Sequence, residues 1–185
     1  MRTPTWPIAI RQATPADAAL FTSIARSSFV DTFAKDNTPD DMAKYCADAF
    51  DEVIQRQELA DVRNIVLVAE RSGDVVGYAM LRTGNAPDCV VDRDAIEIAR
   101  LYSVARVIGT GVGAALMQRC LEIAAERGHR SIWLGVWEQN PRAIAFYERW
   151  GFVDVGSKSF VLGADHQTDR VMMRVVTGTD AQGVA

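Results

Sequence analysis

Hydrophobic residues recur along this chain with two periods, and the segments they mark alternate between strand and helix. Ile8 to Arg11 reads as a short first strand. Thr14-Pro15 opens a helix, threonine as N-cap and proline in the first turn, that runs to about Phe33 with Leu20, Ile24 and Phe29 at buried positions. After the break Asp36 to Pro39, Thr38 caps a second helix with Asp41 close by. Met42, Tyr45, Cys46, Ala49 and Phe50 form its inner face, and a short third helix covers Asp51 to Leu59. Ile65 to Ala69 is an apolar run of strand length, and Val75 to Leu81 returns beside it after the turn Ser72-Gly73-Asp74, so the two predict a hairpin. Thr83 to Asp94 is polar and predicts an exposed, mobile loop. From Glu97 to Ser103 the pattern alternates, with Ile98, Arg100 and Tyr102 on one face and Glu97, Ala99, Leu101 and Ser103 on the other. A helix follows to Arg127, its apolar stripe made by Val112, Ala115, Leu116, Cys120, Ile123 and Ala124, and Gly128 stops it. Ser131 to Trp137 is the next strand, and Asn140-Pro141 starts a helix that Gly151 ends. Phe152–Leu162 and Thr168–Val176 predict a last antiparallel pair around Gly163-Ala164-Asp165. Apolar patterning then stops, which predicts one domain over residues 1–177 and a flexible tail over 178–185.

Composition narrows the function classes. A chain of 185 residues with 49% hydrophobic positions is long enough for one real core. A net charge of -4 argues against nucleic acid as a general partner. The 3 cysteines, Cys46, Cys89 and Cys120, are irregularly spaced, which suggests reduced thiols, a cytoplasmic setting and no zinc site. No metal-ligand pattern, signal peptide or membrane-length apolar run is expected.

The segment that carries chemistry is the glycine turn Gly109-Thr110-Gly111-Val112-Gly113 between strand and helix. The first N–H groups of a helix have no internal partner, and the helix dipole favours negative charge there. Glycines let the backbone approach an anion closely, so the turn predicts a phosphate site, although a plain tight turn has the same residues. It is not a P-loop, because Ala114 and Ala115 stand where Lys and Ser/Thr are needed. Gly109, Gly111 and Ala114 fit the dinucleotide fingerprint with its alanine variant, so a nucleotide-dependent oxidoreductase stays open as the alternative.

Two motifs point elsewhere. The turn resembles the Gln/Arg-x-x-Gly-x-Gly/Ala of the GNAT (GCN5-related) N-acetyltransferases, mapped onto Ile108-Gly109-Thr110-Gly111-Val112-Gly113 with Ile108 departing from the family's Gln/Arg and Arg106 nearby. Asn140 to Phe152 resembles the family's Asn-x-x-Ala-x-x-x-Tyr-x-x-x-Gly-Phe. Ser28 to Phe33, Asn37 to Pro39, Ala49-Phe50, Ile132 to Glu138 and the run Phe160 to Asp169 look like the PaiA-type spermidine/spermine N-acetyltransferases.

The resemblance implies an α/β (α+β) fold, a mixed, mostly antiparallel twisted sheet with helices on both faces. Acetyl-CoA would lie between diverging central strands that end near Ser103 and Trp137. The amides of Ile108 through Gly113 would hold the pyrophosphate, and the edge of Leu101, Tyr102 and Ser103 would pair with the pantetheine arm, assisted by Asn140. Glu97 would be the general base, directly or through water, and Tyr147 the acid that protonates the leaving sulfur. A backbone N–H near Tyr102 or Ser103, where relatives bulge the strand, would meet the oxyanion. The acceptor would be a small primary amine, a polyamine first, with protein or amino-acid acceptors and a non-catalytic acyl-CoA-binding role as alternatives. Its expected contacts are Phe29, Asp31, Thr32 and Phe33 on the first helix, then Trp137 and Glu138, residue types more often found in core or solvated surface than on a ligand. A homodimer is left open.

Overall fold

The computed structural model describes residues 7–84, 86–178 and 180. Strand β1 (Ala9–Gln12) leads through a 3-10 turn (Pro15–Asp17) into α1 (Ala18–Phe33), then α2 (Pro39–Ala49) and α3 (Glu52–Ala60). The hairpin β2 (Asn64–Arg71) and β3 (Asp74–Arg82) follows, and then β4 (Ile96–Ser103), α4 (Val112–Glu126), β5 (Ser131–Trp137), α5 (Pro141–Arg149), β6 (Val153–Leu162) and β7 (Asp165–Val175). Among the described residues the sheet has 7 strands in the order β1-β2-β3-β4-β5-β7-β6. Every neighbouring pair is antiparallel except β4 with β5. One parallel pair is too little for the doubly wound sheet of a dinucleotide fold, so that alternative is set aside.

Local chemistry explains the element boundaries. Thr38 Oγ1 accepts the Asp41 N–H (3.2 Å) and Asp51 Oδ1 the Val53 N–H (2.8 Å), capping α2 and α3. Ser72 and Gly73 turn the β2–β3 hairpin with positive φ (55° and 87°). Helices α4 and α5 pack on one face of the sheet, where Leu116, Met117, Cys120 and Ile144 meet Ile96, Ile132 and Leu134. On the other face Phe21, Ile24, Phe29, Met42 and Phe50 meet Val66, Val68, Tyr78 and Met80.

Several sequence expectations are corrected here. Leu20 is 40% exposed and Phe21 is buried instead, because the buried α1 stripe is Phe21, Ile24, Ala25, Ser28 and Phe29, one position on from Leu20. Met117 and Leu121 join the buried face of α4, which is wider than the stripe read from the sequence. The loop before β4 is anchored rather than simply exposed: Val90 is buried beside Trp133 and Val171, and Ser131 Oγ donates to Asp92 Oδ2 (2.6 Å). The alternation of β4 is broken. Met80 pairs with Arg100 and Leu81 with Ile98, so Ala99 is an extra residue that bulges the strand. Ile98 and Leu101 therefore face α4, while Arg100 and Tyr102 face α1 to α3. The bulge also lies earlier than the Tyr102–Ser103 position expected for it. At the C-terminal end Asp180 is buried and accepts from Arg174 (2.7 Å) and the Thr177 N–H (2.8 Å). The rest of the predicted tail beyond Gly178 lies outside the described residues.

Candidate active site

Strands β4 and β5 pair only through Ile96–Ile132, Glu97–Trp133 and Ile98–Leu134. Beyond that they part. The outer edge of Leu101 to Ser103 pairs with β3 (Ala79, Tyr78, Gly77), so the edge turned toward β5 has no strand beside it among the described residues. A cleft of about 880 Å³ opens at the gap, lined by residues from both faces of the sheet. One end belongs to the glycine turn and α5, the other to α1, α2 and the β6–β7 hairpin.

At the first end, Gly109 and Gly111 adopt φ of +79° and +94°, left-handed backbone that glycine tolerates best, and Gly111 is the N-cap of α4. Ala115 donates to the Gly111 carbonyl (2.9 Å), leaving the N–H groups of residues 111–114 without a partner inside the helix. Ile108, Gly109, Gly111, Gly113 and Ala114 line the cleft. The expected row of amides is narrower than the sequence suggested, because the Ile108 N–H donates to Ala105 O (3.2 Å) and the Thr110 N–H to Val107 O (3.1 Å). Thr110 is turned to Arg71, which donates to its Oγ1 (2.9 Å) and carbonyl (3.1 Å) and braces the turn. Val112 buries its side chain. Since the positive-φ glycines are 109 and 111, a Gln/Arg-x-x-Gly-x-Gly pattern begins at Arg106, not Ile108, and Gly113 falls inside the helix. Arg142 and Arg149 of α5, unremarked in the sequence, add positive charge to the lining.

Asn140 caps α5, its Oδ1 accepting the Ala143 N–H (3.1 Å), and it also lines the cleft. Tyr147 lines the cleft while its ring packs on Phe146 (5.4 Å) and Phe152 (5.9 Å). Burial pushes its phenol well above the ordinary value, so the proton stays in place at neutral pH.

The second end is aromatic. Phe29, Phe33 and Trp137 line it, together with Tyr45, Phe50, Tyr102 and Phe160. Phe33 lies edge-on to Trp137 (6.1 Å) and Tyr102 (6.4 Å). Thr32 also lines the cleft, with its hydroxyl donating to Ser28 O (2.7 Å). Asp31 and Glu138 are corrected: both are exposed and neither reaches the cleft, Asp31 because it lies on the outer side of α1, Glu138 because β5 ends before it.

Glu97 is buried on the cleft floor, where charged side chains meet its carboxylate. Arg82 Nε and Nη2 donate to its Oε2 (3.0 and 2.7 Å), and Lys158 Nζ is 3.8 Å from its Oε1. Arg82, Lys158 and Asp169 are floor residues that no motif marks, because they lie on separate strands and meet only through strand pairing. Asp169 stands in the run compared with PaiA-type enzymes, which was the one signal available.

Known proteins place this architecture. A family model described as the acetyltransferase (GNAT) family matches residues 27–152. An uncharacterized N-acetyltransferase of Lactobacillus delbrueckii subsp. lactis is 34% identical over 169 residues, 91% of this chain and 98% of its own. An uncharacterized N-acetyltransferase of Mycobacterium bovis is 44% identical over 116 residues, 63% of this chain and 70% of its own. Among solved structures, the PaiA N-acetyltransferase of Thermoplasma acidophilum in complex with coenzyme A superposes with a TM-score of 0.73 at 18% identity, covering 91% of this chain and 99% of that one. At that identity the likeness is one of fold.

Proposed function

The chain belongs to the GNAT family and is an acetyl-CoA-dependent N-acetyltransferase, and from that premise we propose that its acceptor is a small primary amine, a polyamine such as spermidine or spermine first. The observation that carries this reading is the single cleft that joins a helix N-terminus to an aromatic chamber with carboxylates on its floor. Bound acetyl-CoA supplies an acetyl thioester. In this reading the free amides of residues 111–114, with Arg142 and Arg149, hold its phosphates. The unpaired edge of Leu101, Tyr102 and Ser103 and the Asn140 amide group hold the amide-bearing arm.

A primary ammonium, with a pKa near ~10.4, must lose a proton before its nitrogen can attack. Glu97 acts through water, because Arg82 and Lys158 already face its oxygens. Tyr147 donates its proton to the departing sulfur. Desolvation raises the basicity of a leaving thiolate just as it raises the phenol, which keeps the two matched inside the cleft. The aromatic faces of Phe33, Tyr45, Trp137 and Phe160 suit a cation.

A second reading has its own observation. Arg82 and Lys158 are cations on the same floor, and they suit an acceptor that carries a carboxylate, such as an amino acid or a peptide end. Thiol release from acetyl-CoA, measured with spermidine, spermine, single amino acids and a short peptide, separates the two. Turnover confined to the amino acids or the peptide would overturn the polyamine assignment.

A further inference from the structure

Two carboxylates stand on the cleft floor in opposite states. Glu97 is neutralised by Arg82 (2.7 Å) and approached by Lys158 (3.8 Å). Asp169 of β7 is paired through its backbone to Trp137 of β5 on one side and Lys158 of β6 on the other. It is 8% exposed, and its carboxylate makes no hydrogen bond or ion pair among the described residues. Lys158 and Asp169 converge above Gly135. A Cβ on Gly135 would stand 2.9 Å from the Lys158 ammonium and 3.0 Å from Asp169 Oδ2, so glycine keeps that space open. Burial holds the Asp169 carboxyl above the usual carboxylate range, with Lys158 acting the other way. A bare carboxylate at this depth is costly unless a cation meets it. The titratable and charged groups around it are Lys158, Glu97, Arg82 and, from α2, the Tyr45 phenol.

We propose that Asp169 receives the acceptor's ammonium group and takes its proton directly, in place of the water-mediated removal by Glu97, making it a catalytic carboxylate of the transfer. This rests on the small-amine reading above. The protons balance. The ammonium gives one to Asp169, which returns it to water at the cleft mouth. The neutral nitrogen forms the C–N bond as the C–S bond breaks. Tyr147 gives its proton to sulfur, and the second proton lost by nitrogen restores the phenol through water. The sum is one amide, one thiol and one proton released.

The test uses the full chain saturated with coenzyme A and two probes, spermidine and phenethylammonium, titrated by calorimetry, together with thiol release from acetyl-CoA across pH. Asp169→Asn should weaken ammonium binding by about tenfold or more, and Asp169→Glu should restore part of it. Both should melt no lower than wild type at pH 7, since no bond is lost. In wild type kcat/KM should be level between the titration of Asp169 and that of the amine. In Asp169→Asn it should instead climb about tenfold per pH unit toward ~10.4, following the free amine. Unaltered binding or an unaltered pH profile in Asp169→Asn overturns the proposal, as does failure of wild type to bind either probe. Binding that depends on Asp169 without thiol release from either amine supports Asp169 and overturns the small-amine acceptor. Thiol release indifferent to Asp169→Asn does the reverse.

Discussion

Tyr147 serves core and cleft at once, because its ring packs on Phe146 and Phe152 while it lines the site. Removing only the hydroxyl separates the two roles. Tyr147→Phe should keep the fold and the affinity for acetyl-CoA within about twofold and lower kcat by ~100-fold, in the range of one acid–base group. Steady-state kinetics with a calorimetric titration of coenzyme A would check it, and an unchanged kcat would remove Tyr147 from the proton path. Gly111 carries a different constraint. Its φ of +94° at the α4 N-cap is unfavourable for any other residue by about 1–2 kcal/mol. Gly111→Ala should therefore lower the melting temperature, and it should shrink the stabilisation that coenzyme A adds, because the amides after it shift. A full coenzyme A response in the variant would take this turn out of phosphate binding.

Strand β4 is the element that makes the site. It pairs with β3 along its length, bulges at Ala99, and leaves β5 after Ile98. The bulge turns Arg100 to the α1–α3 face, where it donates to both oxygens of Glu58 (2.7 and 3.0 Å) and ties α3 to the strand. Gly77 on β3 lets that edge lie close to α4. A Cβ there would stand 2.8 Å from the Tyr102 carbonyl and 3.0 Å from Val112 Cγ1. Gly77→Ala should destabilise the protein by about 1–3 kcal/mol through overpacking. The displaced edge of Leu101 to Ser103 should also raise KM for acetyl-CoA. Urea denaturation and steady-state kinetics would show both; a neutral substitution would mean that β3 can move away from α4 without cost.

For the whole molecule, charge pairs set the response to acid. Arg11 donates to Asp17 (2.9 Å) and Glu70 (2.8 Å), joining β1, the first turn and β2. These bonds pull the Asp17 carboxyl down to about 2 from 3.8, the Arg11 hydrogen bond first and the Thr14 N–H second. A folded value below the unfolded one means that the stabilisation is complete above about pH 4 and is lost as pH falls through about 2. Asp169 has the opposite sign. Its raised folded value makes its ionisation a cost that appears as pH rises above the unfolded value. Melting curves from pH 2 to 7 should therefore fall steeply at the acid end in wild type and less steeply in Asp17→Asn. Asp169→Asn should gain on wild type toward neutral pH. Equal slopes at the acid end would show that the Arg11–Asp17 pair contributes nothing to folding.

Across the chain, local pattern was enough for the order of the elements, the β2–β3 and β6–β7 hairpins, the capped helices, and the pair of motifs at Gly109–Gly113 and Asn140–Phe152, because periodicity, caps and turns act between residues near in sequence. Phe29, Phe33, Trp137, Asn140 and Tyr147 were legible as cleft residues for the same reason, since each belongs to a short contiguous motif. The Ala99 bulge was not legible, because an extra residue in a strand is defined only against its partner β3. Asp31 and Glu138 were misplaced because adjacency in sequence does not say which side of an element faces the ligand. Only the assembled sheet decided the state of the carboxylates. It set Arg82 across from Glu97 and brought Lys158 and Asp169 together over Gly135, and the ion pairing and desolvation that distinguish the two acids arise from neighbours on other strands.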